Sequence, residues 1–442
     1  MKNKSQHFDA DLKSPERLSA DVMATTLSRA LSGGLIGGSD DNTVVFYDLS
    51  RLNLTLDALK RAFPSTTLHT IAVKANPSVG VLKRIRLAGH GVEVASMGEL
   101  HLALAAGFPM ETIVFDSPVK TSEELEVALK MGIRINANTI GELTRIDKLY
   151  SSLKSSSLVG IRINPEIGKG NIDSTSVAVQ HSKFGVSLRE CRSILAAAFS
   201  EYSWLNGLHL HIGSQGMSLD QLLDGVAAVY DFFLDLKDRA RITFFDIGGG
   251  ISTQYKESDN PIQFDEYAAA LRHRCPSLFE SDICLITEFG RALHANCGWV
   301  ASKVEYVIEH GDGSATLIVH VGADMFLRKA YRPEDWHHEI SICDKNGQLR
   351  TEPQRVYSIA GPLCFAGDYL ARSVSLPMNI REGDYVLIHD SGAYTFSMWS
   401  IYNSRLFPSI LGYEDDGKIF TLLKEGQTID DIVAFWSMSK TR

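Results

Sequence analysis

The sequence predicts an α/β protein: a (β/α)8 barrel of the TIM type followed by a C-terminal antiparallel β domain. Three observations carry that reading. From about residue 69 to 290, short β-branched runs alternate with helix-like stretches, and eight such runs over that span suit a barrel of roughly 250 residues. The side chains best suited to chemistry fall at the C-terminal ends of those runs, the face on which barrel loops build a site. Beyond about residue 297 the helical pattern stops. Runs at 300–307, 315–321, 355–360 and 384–389 are then separated by turn-like Gly311-Asp312-Gly313, by 344–347 and by 381–384.

Taken in order, the Ser/Gly-rich stretch 32–42 reads as a loop. The run 43–49 precedes a helix at 50–63 and is expected to join the sheet of the β domain. The barrel strands are expected at 69–75, 91–96, 111–117, 133–139, 158–165, 206–213, 242–248 and 284–289. Helical patterns at 97–107, 121–131, 140–152 and 218–238 lie between them. The domains expected are an N-terminal segment, 1–45, part of it in the β domain, the barrel at 46–297, and the β domain at 298–442. An open, doubly wound sheet is the structural alternative.

A chain of 442 residues suits two domains, and 44% hydrophobic with 22% charged residues matches a soluble globular protein. The net charge of −9 disfavours nucleic acid or an anionic membrane as partner. No apolar stretch approaches the roughly 18 residues needed to span a bilayer. The first 40 residues lack an apolar core and carry Asp9, Asp11, Glu16 and Asp21, which argues against a targeting peptide. Six cysteines (191, 275, 284, 297, 343, 364) lack C-x-x-C spacing, so no disulfide framework or metal site is expected and reduced thiols in the cytoplasm fit.

Residues 69–77 form a β-prone run with one cation, Lys74, stopped by Asn76-Pro77. Desolvation there would lower the amine's pKa and make it a nucleophile toward aldehydes; a solvated lysine at a strand end is the plain alternative. Glu288 ends the apolar run from Cys284, where an unpaired carboxylate is costly. A protonated pyridine nitrogen would satisfy it; a salt bridge with Arg291 or Arg162 is the alternative. His209 and His211 lie on one strand face, one a packed core residue and His211, nearer the end, able to lie against a ring.

Gly248, Gly249 and Gly250 offer backbone N–H donors for a phosphate, or simply make a turn. Ser214 and Tyr394 are hydroxyl donors to the same group. Cys364, between Gly361-Pro362-Leu363 and Gly367-Asp368, could return a proton to carbon, although most lone cysteines are buried small hydrophobes. Asp368 is a substrate or interface group, or fixes the loop. An aldehyde-trapping lysine, a ring-stacking imidazole, a phosphate cradle, a carboxylate and a thiol acid together suit pyridoxal 5'-phosphate (PLP).

These segments resemble the group IV PLP decarboxylases, which act on diaminopimelate, ornithine and arginine and have an alanine-racemase-like barrel (fold type III). The likeness runs from about residue 40 to 425 and is nearest in wording to the diaminopimelate branch. It rests on 73–77 (Val-Lys-Ala-Asn-Pro), 182–185 (Ser-Lys-Phe-Gly), 390–398 (Asp-Ser-Gly-Ala-Tyr-Thr-Phe-Ser-Met) and 402–405 (Tyr-Asn-Ser-Arg). The resemblance implies Lys74 as the lysine that binds PLP, His211 as the ring-stacking residue and Glu288 as the pyridine partner. Around phosphate or substrate it implies Ser214, Gly249, Gly250, Gly290, Arg291 and Tyr394, with Arg162 also near the cofactor. It implies a homodimer in which Cys364 and Asp368 reach the neighbouring site.

Two departures stand out. Phe289 replaces the proline of the family's Glu-Pro-Gly-Arg. Phe365 replaces the acid that holds a distal amine, which removes a charged partner. Residues 325–332 match the family's substrate-carboxylate segment only at Arg328 and Tyr331, and Glu334 or Asp335 is the candidate substitute acid. The expected activity is α-decarboxylation of an amino acid, diaminopimelate by overall likeness, as in lysine biosynthesis. A modified or conjugated amino acid of secondary metabolism is the alternative that Phe365 raises. A racemase, which would place arginine where Glu288 stands, and an inactive PLP-binding regulator are the others.

Overall fold

The computed structural model describes residues 16–38, 41–280, 282–351 and 353–437. After a helix, Ala20–Ser32, the chain enters strand β1 (Thr43–Asp48) and a second helix, Leu49–Ala62. It then forms β2 (Leu68–Ala72), β3 (Gly91–Val94), β4 (Ile113–Asp116), β5 (Arg134–Ala137) and β6 (Val159–Asn164). A two-residue β7 (Val186–Ser187) precedes β8 (Leu205–His209), β9 (Phe244–Asp246) and β10 (Cys284–Thr287). All eight expected barrel runs are strands. Their pairings are all parallel, and β5–β6 and β10–β2 close the ring, with β7 added at the edge of β6.

Short strands whose every face is packed explain the apolar runs. Phe244 fills one end of the barrel, where a Cβ at Gly207 would come within 2.0 Å of its ring, so only glycine fits beside it. Hydroxyl caps start the helices: Ser96 Oγ accepts from Glu99 N, Thr121 and Glu124 form a capping box, and Thr139 and Ser218 cap likewise. Each cap turns the chain sharply after a strand end and leaves the strand-end side chains facing one space.

The second sheet contains β11 (Gly298–Glu309), β12 (Ala315–Val319), β13 (Ile340–Cys343), β14 (Gln354–Ala360), β15 (Tyr369–Pro377), β16 (Tyr385–Ile388), β17 (Ser409–Glu414) and β18 (Ile419–Lys424). It also takes β1, which lies between β11 and β17, so residues 43–48 join it as expected; a boundary between 45 and 46 would cut this strand. The sheet is mostly antiparallel but not wholly so: β1–β17 and β12–β14 are parallel. Both pairs are joined by long connections, which parallel pairing requires. Phe46 stacks on Trp299 with centroids 4.2 Å apart, and Trp299 Nε1 donates to Tyr413 Oη at 3.1 Å. Tyr47 Oη meets His294 Nδ1 at 2.5 Å, tying β1 to the segment that leaves the barrel. No helix among the described residues is long and apolar enough to cross a membrane.

Candidate active site

The barrel's strand ends gather an unusually dense set of buried charges. A single 3-10 turn, Val73–Ala75, carries Lys74 off β2, and its Nζ lies 2.5 Å from Glu93 Oε2 on β3. Glu93 is fully buried. The expectation of a lysine with lowered pKa is corrected here. Burial does push the amine down, but Glu93, with Tyr394, Glu288 and Asp116, pushes it further up, so Lys74 is held as an ammonium. Burial in turn pushes the Glu93 carboxyl up, and Lys74 beside it pulls it back down.

Arg162 on β6 pairs with Asp116 at the end of β4, Nη1 to Oδ2 at 2.9 Å, and its guanidinium lies 4.6 Å over the Phe184 ring. Arg162, expected at the cofactor, is thus engaged by Asp116. His209, fully buried on β8, sits between two carboxylates: Nδ1 is 3.6 Å from Asp116 Oδ1 and Nε2 is 3.4 Å from Glu288 Oε2. Glu288 therefore pairs with neither Arg162 nor Arg291. Burial raises its carboxyl's pKa, but His209 outweighs that and holds it below the ordinary value. Its other oxygen, Oε1, is buried without a hydrogen-bond partner. Asp246, at the end of β9, is pushed well above the carboxylate range by burial and by Glu288.

His211, two residues beyond β8, accepts from Gly249 N at its Nδ1 (3.0 Å) and is pushed down to about 3 by burial and by Arg162 and Lys74. It is a neutral imidazole. The glycine cradle needs a correction. Gly248 N donates to Asp246 Oδ1 at 2.9 Å and Gly249 N to His211, so two of the three N–H groups turn inward. Gly250 alone has an N–H without a partner among the described residues. All three must be glycine for packing: Gly248 and Gly250 have φ of +65° and +124°, and a Cβ at Gly249 would lie 2.5 Å from the Glu288 carbonyl. Beyond Glu288, a Cβ at Gly290 would meet Ala72 and Ala75 at 3.0 Å, so Gly290 serves close packing beside Lys74.

The other half of the site comes from loops. Arg291 donates from Nε to Ser214 Oγ at 3.1 Å and from Nη1 to Tyr255 Oη at 2.8 Å. Arg291 and Arg328 lie over the same two rings, Trp336 (both 4.8 Å) and Tyr394 (4.6 and 5.0 Å). Tyr394 is positioned by a left-handed φ of +55° and by its N–H on Ala75 O. Burial and Arg291 push the Arg328 guanidinium down to about 10, and its Nη1 is buried without a partner.

The 361–368 loop is held by Asp368. Its Oδ1 accepts from Ala323 N at 2.6 Å and its Oδ2 from Leu363 N at 2.7 Å. Asp368 is buried with both oxygens used, so it fixes the loop and does not face a substrate, which corrects its placement among substrate-binding residues. Cys364 is exposed, with its N–H on Asn403 Oδ1. Phe365 stacks on Tyr331, centroids 6.1 Å apart, with Tyr402 edge-on at 6.5 Å. Glu334 and Asp335 are both paired with Arg332, at 2.9 and 3.1 Å.

Glu93, Asp116 and Asp246 escaped the sequence reading although each sits in or ends an apolar strand, the same signal that singled out Glu288. Tyr255 and Trp336 lie in loops and carry no such signal. The set fits PLP: Glu288 Oε1 is a buried acceptor without a donor, His211 offers a neutral ring, and Gly250 N, Ser214 and Arg291 are donors suited to an anion. All six cysteines are free thiols.

Residues 49–295 match the family model described as pyridoxal-dependent decarboxylase, pyridoxal binding domain. The diaminopimelate decarboxylase of Vibrio cholerae is 30% identical, covering 83% of this chain and 85% of that protein. That of Pseudomonas aeruginosa is 32% identical over 76% and 79%. Among solved structures, diaminopimelate decarboxylase from Helicobacter pylori complexed with L-lysine superposes with a TM-score of 0.80 at 27% identity, covering 90% of this chain and 97% of that one.

Proposed function

Because the chain belongs to the pyridoxal-dependent decarboxylases, a family of PLP-using carboxy-lyases, we propose that it removes the α-carboxylate of an amino acid at the strand-end site around Lys74 and Glu288. The observation that carries the residue assignment is the buried, unpartnered Glu288 Oε1 set among the same charges as the Lys74–Glu93 pair. Bound PLP supplies an aldehyde for an amine and an aromatic ring that accepts electrons. Lys74 is the amine that holds it. Glu93, 2.5 Å from Nζ, would hold the proton that Lys74 gives up. Glu288 would be the partner of the ring nitrogen, with His209 holding its carboxyl below the ordinary value. His211 packs as a neutral ring, which adds no charge against the cofactor face. Gly250 N, Ser214 and Arg291 hold the phosphate end. Gly248 and Gly249 act at one remove, by setting the turn and orienting His211.

The curated relatives are named for diaminopimelate, and we propose an amino acid of that shape, with a side chain ending in a carboxylate held by Arg328 and Tyr394. Cys364 would be the thiol acid that holds the proton destined for the α-carbon. Its exposure, together with that of Tyr331, Ile401 and Tyr402, supports a homodimer in which loop 361–368 serves the neighbouring copy's site. The barrel, 46–297, would be the cofactor unit and 298–442 the unit that completes the mouth. A cytoplasmic enzyme is consistent with six free thiols. Glu288 disfavours a racemase, since an ionised carboxylate keeps the ring nitrogen protonated and the electron sink at full strength.

The test is borohydride reduction of the PLP-loaded protein, followed by peptide mapping and by CO2 release from diaminopimelate and a panel of amino acids. The cofactor should be fixed to Lys74 and at least one amino acid should release CO2. A label on another lysine defeats the site assignment.

A further inference from the structure

The mouth of this site lacks the acid that a substrate amine would need, and it has a cation in want of an anion. The cleft over Arg328 has a volume of about 580 Å³ and is lined by Ser174, Leu327, Arg328, Tyr331, Arg332 and Trp336. Arg328 and Trp336 also line the space bounded by Tyr255, Arg291, His338 and Tyr394. Neither lining contains a carboxylate. The two acids nearest in sequence, Glu334 and Asp335, are bound by Arg332, and Asp368 is spent on backbone N–H groups. Residue 365, where an acid would answer a distal amine, is a phenylalanine stacked on Tyr331 at the rim, whichever copy of the chain it serves.

The positive side is equally plain. The Arg328 guanidinium makes no ion pair among the described residues, and Nη1 is buried unbonded. Arg291 beside it bonds neutral hydroxyls among the described residues and is the group assigned above to the cofactor phosphate. That leaves Arg328 as the buried guanidinium without a carboxylate, and an anion relieves it. An ammonium group would instead be desolvated beside like charge.

We propose that the substrate's side chain ends in a carboxylate and carries no free amine there: an amino acid whose distal amine is absent or acylated by an acid that keeps a second carboxylate. This rests on the decarboxylase reading above and narrows its substrate. Diaminopimelate has both distal groups, so this chain keeps the partner of one and has replaced the partner of the other.

The experiment uses the full-length, PLP-loaded protein and matched triplets. For 2,3-diaminopropionate, ornithine and lysine in turn, the free amine, the side-chain N-acetyl derivative and the side-chain N-succinyl derivative are compared by CO2 release, with diaminopimelate alongside. At the best-fitting length, kcat/KM for the succinyl derivative should exceed that for the acetyl and amine forms by about ten-fold or more, the worth of one charge-assisted contact. Arg328→Met should bring the succinyl-to-acetyl ratio close to one, and Phe365→Glu should shift preference toward the free amine. A wild-type preference for the free amine or diaminopimelate, or no discrimination between succinyl and acetyl, overturns the proposal. Calorimetric binding of glutarate against 1,5-diaminopentane decides it without turnover: tighter glutarate supports it, tighter diamine overturns it. Absence of CO2 from every compound would count against the decarboxylase reading, with the binding comparison still deciding this one.

Discussion

Around the barrel's strand ends the ionisable side chains have partners in reach: Lys74 with Glu93, Arg162 with Asp116, and His209 between Asp116 and Glu288. In the mouth, Arg291 and Arg328 share two aromatic faces and have no acid. The first region is largely paired within itself, and Glu288 Oε1 is one of three carboxylate oxygens there, with Glu93 Oε1 and Asp116 Oδ1, that have no hydrogen-bond partner among the described residues. The second is left unbalanced. A balanced, buried network fixes geometry for a step common to many substrates, whereas an unbalanced rim selects which molecule enters. Changes in the two regions should therefore differ in kind, the first in kcat and the second in KM.

The largest effect is expected at Lys74. Lys74→Ala should lower kcat by at least about 10^3-fold and abolish borohydride-fixable cofactor, with the far-ultraviolet circular dichroism unchanged. Glu288→Gln comes next. Replacing the ionised acceptor by a neutral amide should cost about 10^2-fold in kcat with KM within a few-fold. A change confined to KM would break the comparison. Arg328→Met should do the reverse, raising KM for a terminally carboxylated substrate about 10- to 100-fold with kcat within a few-fold, as expected for one charged hydrogen bond.

The smallest effect concerns acid stability, which should not distinguish the regions. Burial holds His211 down to about 3 and His338 down to about 4, against the usual value near 6.5. Between pH 6.5 and 4 the unfolded chain binds more protons than the folded one, so stability falls as pH falls through that window. The loss is on the order of 1 kcal/mol per pH unit for each histidine. Thermal unfolding at pH 7 and pH 5 measures the fall, and His338→Asn should make it shallower by its own share.

The barrel was legible because parallel strands packed on both faces leave continuous apolar runs, and all eight were readable. Lys74 and Glu288 stood out for the same reason: a charge in such a run must have a partner. The partner itself was not legible. Lys74 follows β2 and Glu93 lies on the neighbouring β3, 19 residues apart, and nothing local reveals that pairing, so the lysine's pKa was expected to move the wrong way. The glycine triplet was correctly placed at a strand end, but which N–H groups face a ligand depends on Asp246 and His211, which only the fold brings beside it. The mouth was least legible. Trp336 and Tyr255 reach it from loops, where no periodicity marks a side chain's direction. Phe365 was visible as a departure; that the nearby acids were already committed to Arg332 was not.

Strand β1 has a consequence for how this chain is made. It lies inside the second sheet, paired with β11 at residues 298–302 and with β17 at 409–413. Those partners emerge from the ribosome only after the entire barrel has been synthesised. Residues 43–48, apolar from Val44 to Tyr47, must therefore wait without sheet partners while a complete barrel forms behind them, and the barrel then acts as the folded loop that brings the ends of the sheet together. Such long-range closure makes the second sheet the slow step of folding and leaves an open strand edge during translation. It also explains why β1 runs directly into the helix Leu49–Ala62: a helix that packs early on the barrel can hold the waiting strand close to where its partners will arrive.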